Sequence, residues 1–258
     1  MNCSLKTVNE ENIGKPEPPG SSGRLLRVSV IISKSQEMVT FTIDGTEVKA
    51  KEGANLLWVA LDNGLYIPNL CALRNTPPPV PASCRLCFVE IEGKKAPVAS
   101  CTLSVNDGMI VHLNTDKVRR IRNTAFELLL SHHPIDCAHC DKNRNCGLQN
   151  IAARLGLRLK IKKFRQIPRE LPIDISHPLF YYNPNKCVLC GRCVQICKEQ
   201  GTGTLDFAFR GIPTVVSTFS GVPLVEACPE NSCLACVAVC PVGSLVAKTV
   251  VSLDEVKT

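Results

Sequence analysis

Aromatic residues are scarce in this 258-residue chain. They make up 5% of it, with one tryptophan and three tyrosines, although 45% of the residues are hydrophobic. Long apolar runs are missing too. No stretch approaches the roughly 20 residues that cross a bilayer, and the opening Met-Asn-Cys-Ser-Leu-Lys has no apolar segment of the kind a secretory signal needs. Nor is there a G-x-G-x-x-G nucleotide fingerprint; Gly201-Thr-Gly203 is a lone glycine pair in a loop and means little. The expectation is a cytoplasmic protein with no direct membrane insertion, no NAD or substrate site and no catalytic residue of its own. The length leaves room for two or three small domains.

What the chain has in excess is cysteine, sixteen in all. In a chain without a secretory signal such a number points to metal rather than to a disulfide framework. The densest stretch is organised as two runs. Cys187, Cys190, Cys193 and Cys197 form C-x2-C-x2-C-x3-C; Cys228, Cys233, Cys236 and Cys240 form C-x4-C-x2-C-x3-C, followed by Pro241. A cubane cluster needs a ligand on each of four iron corners. A tight C-x2-C-x2-C loop supplies three, and in two-cluster ferredoxins the fourth comes from the opposite run. The expected sets are therefore Cys187, Cys190, Cys193 and Cys240 for one [4Fe–4S] cluster, and Cys197, Cys228, Cys233 and Cys236 for another. Gly191 and Ala235 are small where little room is left beside sulfide. The first run carries Lys198 where the second has proline, and Cys228 lies two residues further out than the common spacing. Zinc ribbons, the alternative, pair two CxxC knuckles rather than interlocked sets.

Ahead of these runs the pattern is that of strands. Residues 38–43 alternate, Asp44-Gly45 is a hairpin turn signal, residues 47–51 alternate again, and residues 54–62 read as a helix stopped by Asn63-Gly64. Hairpin, helix and cysteine loop in that order is a β-grasp layout. The loop supplies Cys71, Cys84, Cys87 and Cys101, one cysteine, then a C-x2-C pair, then a distant fourth, as in a [2Fe–2S] site of plant type, with a four-cysteine zinc site as the alternative. The first gap is long and contains Pro77, Pro78, Pro79 and Pro81. Residues 88–91 follow as a strand.

Residues 116–130 read as an amphipathic helix with Val118, Ile121, Ala125, Leu128 and Leu129 on one stripe, and Arg119, Arg120 and Arg122 mainly on a solvated face. The helix runs into Ser-His132-His133-Pro134, then Cys137, Cys140 and Cys146. Three cysteines leave one cubane corner open, and a neutral imidazole can fill it. His133 fits as H-x3-C-x2-C-x5-C, with Pro134 fixing the chain after it. His132 is the rival, and His139 would have to turn away from its neighbours. His112 and His177 have no such triplet and are read as ordinary residues. Leu148, Ile151, Ala152 and Leu155 suggest a short helix beyond Cys146. The count closes: four clusters need sixteen ligands, and fifteen cysteines, omitting Cys3 as a free thiol, plus His133 supply them. The formal net charge of +7 is then offset by about −7 at the metal sites, which removes the argument for nucleic acid as a partner.

The expected organisation is a flexible tail (1–24), a [2Fe–2S] β-grasp domain (25–115), a small helical His-Cys3 [4Fe–4S] module (116–157), a basic, proline-containing linker with solvent-facing cations (158–178), a two-cluster bacterial-ferredoxin-like domain (179–250) and a short tail (251–258), an α+β chain overall.

This order of modules resembles the amino-terminal part of the large iron–sulfur subunit of respiratory complex I and of iron-only hydrogenases. As a chain on its own it is most similar to the small diaphorase subunit of bidirectional NAD-linked hydrogenases. The most specific stretches are Lys186-Cys-Val-Leu-Cys-Gly-Arg-Cys193 and Cys236-Val-Ala-Val-Cys-Pro-Val-Gly-Ser-Leu245. The resemblance implies a subunit of a soluble oxidoreductase complex. It would relay single electrons between a flavin-containing NAD(P)H-oxidising subunit and a catalytic hydrogenase or formate dehydrogenase subunit. Since the sequence ends at Thr258, no hydrogen-activating or molybdopterin domain is expected in it. A stand-alone polyferredoxin and a zinc-binding interaction module are the alternatives.

Overall fold

The computed structural model describes residues 37–74, 79–228 and 233–248. The expected tails at 1–24 and 251–258, Cys3, and Pro77 and Pro78 lie outside these residues. The hairpin forms as its alternation dictates. β1 (Met38–Ile43) buries Val39, Phe41 and Ile43, and β2 (Thr46–Lys51) buries Val48 and Ala50. Between them Asp44 and Gly45 both have positive φ, 47° and 79°, the backbone that matches the twist of a two-residue hairpin. α1 (Leu56–Asp62) starts where Asn55 accepts the backbone N–H groups of Leu57 and Trp58, and it buries Leu56, Leu57 and Ala60. β3 (Phe88–Ile91), β4 (Val98–Ala99) and β5 (Ile110–His112) complete a five-stranded sheet in the order β2-β1-β5-β3-β4, in which β1 and β5 are parallel.

α2 (Asp116–Ser131) is capped by the Thr115 hydroxyl, which accepts from Val118 N at 3.2 Å. Its buried seam is rotated from the expected one: Val118, Arg122, Ala125, Phe126 and Leu130 go inside, while Leu128 is 49% exposed. Arg122 is therefore not on the solvated face. The helix lies close enough to β3 for Arg122 Nη2 to donate to Phe88 O at 2.8 Å, and burial lowers the guanidinium's pKa to about 10. The arginine stem helps to cover the apolar seam. α3 (Gly147–Leu155) buries Leu148, Ile151 and Ala152 and ends at Gly156 in the left-handed region.

The segment 158–178 is more than a linker. Arg158, Lys160, Lys162, Lys163 and Arg165 do face solvent, but the backbone is tied down: Ile167 N donates to Ser131 O and Leu171 N to Asn185 Oδ1. Arg169 departs from the solvent-facing expectation. Half-buried, it donates through Nη1 to Pro184 O and Cys187 O at 3.1 and 2.7 Å.

Beyond it, β6 (Phe180–Tyr182) pairs antiparallel with β9 (Leu245–Ala247). α4 (Arg192–Glu199) and α6 (Ala235–Val239) pack against each other between them. The region between the two cysteine runs, which has no legible periodicity, holds the hairpin β7 (Leu205–Ala208) and β8 (Val215–Thr218) and the single turn α5 (Leu224–Ala227). Three apolar clusters result. One lies under the five-stranded sheet and one under β6–β9. The third joins Cys71, Cys84 and Leu86 to Phe126, Leu130, Leu148, Ile151, Val188, Cys190 and Val242. That third cluster draws on all three cysteine-bearing regions.

Candidate metal centres

Among the described residues no cysteine is joined in a disulfide. Among the described residues no three His, Cys, Asp or Glu side chains close tightly enough for a single metal ion. The sets below rest on mutual contact and on the charge each sulfur feels from the others.

Cys71, Cys84, Cys87 and Cys101 form the most enclosed set, each at most 3% exposed. Cys71 makes hydrogen-bonding contact with Cys84 and Cys101, and Cys87 with Cys101. Those shared bonds lower the proton affinity of Cys71 and Cys87 and raise that of Cys84 and Cys101. Four sulfurs in one dry place cannot all be thiolate without cationic metal between them. The loop is shaped by Arg85 at φ 55° inside the C-x2-C pair, and Cys87 enters β3 directly, its carbonyl accepting from Ser100 N at 3.0 Å.

The two cysteine runs of the last region interlock. Cys190 is pushed up to about 12 by burial and by its neighbours Cys187 and Cys240, and Cys193 is raised by burial, by Cys187, Cys190 and Cys240, and least by Cys236 of the other set. Cys236 is pushed up to about 12 by burial and by Cys197, Cys228 and Cys233. Each run thus has its fourth cysteine, Cys197 or Cys240, beside the other run, as α4 and α6 carry them across. Leu189 at φ 52° and Gly191 at φ 80° bend the first loop. The place of Gly191 has a further reason: a Cβ there would sit 3.3 Å from Pro81 Cβ. At the other set, Thr202 Oγ1 lies 3.0 Å from Cys197 Sγ and 3.2 Å from Cys197 O, so the sulfur, when a thiolate, and the carbonyl compete for its single proton. Thr202 sits in the Gly201-Thr-Gly203 stretch, where nothing in the local sequence signals it.

In the third set, Cys137, Cys140 and Cys146 are half-exposed, and Cys146 is raised by burial and by Cys140 and Cys137. The histidines differ sharply. His139 points outward, its side chain 83% exposed, with Nδ1 2.9 Å from the Asp136 carboxylate. The His132 Nδ1 is 3.1 Å from Ile167 O. His133 is buried; its Nδ1 is 2.9 Å from Lys186 O, and burial lowers its pKa. A carbonyl can only accept, so in His133, as in His132, Nδ1 carries the proton and Nε2 keeps its lone pair, the tautomer a ligating imidazole needs; deeper burial is what sets His133 apart. His112 meets Glu92 at 3.1 Å, and buried His177 lies against Phe180 with ring centroids 4.1 Å apart.

The sets approach one another closely. Ser83 Oγ donates to Cys190 O at 3.2 Å and Arg192 Nη2 to Ala72 O at 2.7 Å, joining the first and last regions. Gly147 N donates to Pro241 O at 2.7 Å, and a Cβ on Gly243 would lie 2.6 Å from Cys140 Sγ. Gly243 was invisible on sequence because the contact that demands glycine is 103 positions away in the chain. Half-buried and buried thiols in these numbers, with one neutral imidazole, match the donor set of iron–sulfur clusters.

Comparisons with known proteins agree. Residues 36–116 match a 2Fe–2S iron–sulfur cluster binding domain, residues 122–159 the iron–sulfur binding region of NADH-ubiquinone oxidoreductase G, and residues 180–200 a 4Fe–4S binding domain. The NADPH-Fe(3+) oxidoreductase subunit alpha of Geobacter sulfurreducens is 37% identical over 213 residues, covering 82% of this chain and 24% of the relative. The NADP-reducing hydrogenase subunit HndD of Solidesulfovibrio fructosivorans is 37% identical over 219 residues, covering 81% and 36%. The chain therefore spans about a quarter to a third of the length of these curated relatives. A chain in the crystal structure of an NAD+-reducing [NiFe]-hydrogenase in its H2-reduced state superposes with TM-score 0.69 at 31% identity, over 82% of this chain and 88% of that one. The protein belongs to the family of iron–sulfur subunits of NAD(P)-linked hydrogenases and complex I-type oxidoreductases.

Proposed function

We propose that this chain is an electron relay holding one [2Fe–2S] and three [4Fe–4S] clusters. Cys71, Cys84, Cys87 and Cys101 hold the first. His133, Cys137, Cys140 and Cys146 hold the second. Cys187, Cys190, Cys193 and Cys240 hold the third, and Cys197, Cys228, Cys233 and Cys236 the fourth. When bound, such clusters supply one-electron chemistry at potentials set by ligand type, hydrogen bonds and burial. The residues of the chain do the rest. Lys186 O holds the His133 ring in the ligating tautomer, the Thr202 hydroxyl lies within hydrogen-bond reach of the Cys197 sulfur, and the enclosure of Cys71, Cys84, Cys87 and Cys101 keeps water from the first site. The partners in this reading are a flavin-containing NAD(P)H-oxidising subunit and a catalytic hydrogenase or formate dehydrogenase subunit, in the cytoplasm, where thiols stay reduced. No substrate is converted on this chain.

The single observation that carries the reading is the shared core. Cys71, Cys84 and Cys190 lie in one apolar cluster with Phe126, Leu148 and Val242, so the cysteine-bearing regions are packed into a fixed array. A shuttling polyferredoxin has no need of that. The mixed sheet with its parallel β1–β5 pair supports the β-grasp reading of the first domain, and the domain spans 25–115, 116–157 and 179–250 follow from the same assignment. The test is anaerobic purification from the native source followed by an EPR-monitored redox titration. The expected result is co-purification with a flavoprotein and four resolvable cluster signals. Recovery of the chain alone would overturn the fixed-relay reading, and zinc in place of iron would overturn the redox one.

A further inference from the structure

One short turn, residues 184–187, receives hydrogen bonds from two side chains that matter to different ligand sets. Its Lys186 O lies 2.9 Å from His133 Nδ1. Its Pro184 O and Cys187 O accept from Arg169 Nη1 at 3.1 and 2.7 Å. The guanidinium is thereby fixed against the backbone of a ligand of the Cys187 set, one residue from the carbonyl that orients His133. On the His133 side Arg169 lines a hollow of about 250 Å³ with His132, Pro134 and Gln166, and Gln166 Nε2 donates to His133 O at 2.8 Å. Among the described residues no carboxylate pairs with Arg169; Glu170, the next residue, is exposed. The Arg169 Nε is buried and, among the described residues, has no hydrogen-bond partner. A half-buried cation with no counter-ion and an unanswered N–H is costly unless negative charge comes to lie beside it.

We propose that Arg169 sets redox potential as well as tying down its own segment: it is a fixed cation shared by the Cys187 and His133 ligand sets, favouring the added electron at both and most at the Cys187 set. The inference rests on the relay reading and deepens it by naming a residue that tunes two of the sites without ligating either. The reach of the charge is visible at both sets. Burial raises the Cys187 thiol, and Arg169 is among the groups that pull it back down. Burial lowers His133, and Lys186 and Arg169 lower it further. Arg192 acts on Cys190 of the same cysteine set, whereas Arg169 is felt at both sets. Reduction adds one negative charge to a site, whatever the mixture of thiolate and imidazole around it. A unit charge some 10 Å from that electron, at an effective dielectric of about 20, shifts the equilibrium about tenfold. Lifting the midpoints of two neighbouring sites together keeps the step between them short.

The experiment is an EPR-monitored redox titration of the full chain, loaded with iron and sulfide without oxygen, as wild type and as Arg169→Met, Arg169→Gln and Arg169→Lys. Methionine keeps an apolar stem with neither charge nor donor, glutamine keeps a donor without the charge, and lysine keeps both. The signals are assigned by their loss in Cys190→Ala and in His133→Ala. In the two neutral variants the reduction equilibrium of the Cys187 set should become about tenfold less favourable, a fall of about 59 mV for one electron. The His133 set should move the same way by less, and the set of Cys197, Cys228, Cys233 and Cys236 should hardly move. Arg169→Lys should stay near wild type, and the iron content should not change. If Arg169→Met does not load, the comparison of glutamine with lysine decides. Wild-type potentials in iron-loaded Arg169→Gln, a fall in Arg169→Lys as large as in Arg169→Gln, or a loss of iron in all three variants would reduce Arg169 to a structural tie and leave the relay standing. A wild-type chain that takes up no iron would overturn both.

Discussion

The first and second ligand sets are built on opposite plans. Cys71, Cys84, Cys87 and Cys101 are sealed, at most 3% exposed, in a loop clamped by a five-stranded sheet and its own apolar core. Cys137, Cys140 and Cys146 are half-exposed, on a stretch with no strand, between α2 and α3. Their order comes from outside: Lys186 O holds His133, Pro241 O holds Gly147 N, and Gly243 leaves room for Cys140. One cradle is self-supporting and the other is completed by its neighbour. Damage to the first should therefore spread into the fold, and damage to the second should stay local or arrive from the last region.

The largest expected effect comes from Cys101→Ala. It should abolish the [2Fe–2S] signal and destabilise the sheet region by about 2–4 kcal/mol, because it opens a cavity and leaves three buried thiols without their shared site; chemical denaturation would measure it. His133→Ala should remove one [4Fe–4S] signal, about four irons, and leave the other three sites loaded, whereas His132→Ala should remove none. Loss on His132→Ala alone would reverse the choice of histidine. Gly243→Ala should reproduce the His133→Ala spectrum without replacing a ligand, since its Cβ would press on Cys140 Sγ at 2.6 Å; an intact signal would show that the two regions are less tightly joined than described. Arg122→Met, on the sheet side, should cost about 1–3 kcal/mol by leaving Phe88 O without its donor and should leave all four sites loaded with iron. The smallest effect is expected from Thr202→Val. Losing a hydrogen bond at Cys197 that favours the more negative, reduced cluster by at most about 1 kcal/mol lowers the midpoint of that cluster by no more than roughly 40 mV for one electron, with the iron count unchanged.

The same contrast explains what could be read in advance. The hairpin, α1 and the cysteine spacing of the first region are local signals: alternation, an Asp-Gly turn, a capped apolar run. They appear within a residue or two of where they were expected. In the second region the cysteines were legible and their support was not. Nothing near Gly243 or Lys186 in the sequence says that it faces Cys140 or His133. The rotated seam of α2 has the same origin. Arg122 reads as a surface cation until β3 offers a carbonyl, and Leu128 reads as core until Phe126 and Leu130 occupy the inside. Arg169 likewise reads as a solvent-facing residue of a linker, because its two acceptors, Pro184 O and Cys187 O, are brought to it only by the fold.

The central claim is that four separate sites in this polypeptide carry iron. Its most direct test is the iron and acid-labile sulfide content of the full chain, reconstituted without oxygen, alongside its Mössbauer spectrum. The account predicts about fourteen irons per chain, divided between one [2Fe–2S] and three [4Fe–4S] components. A colourless protein with zinc bound, or an iron count that stays at half that value in fully loaded material, would contradict it.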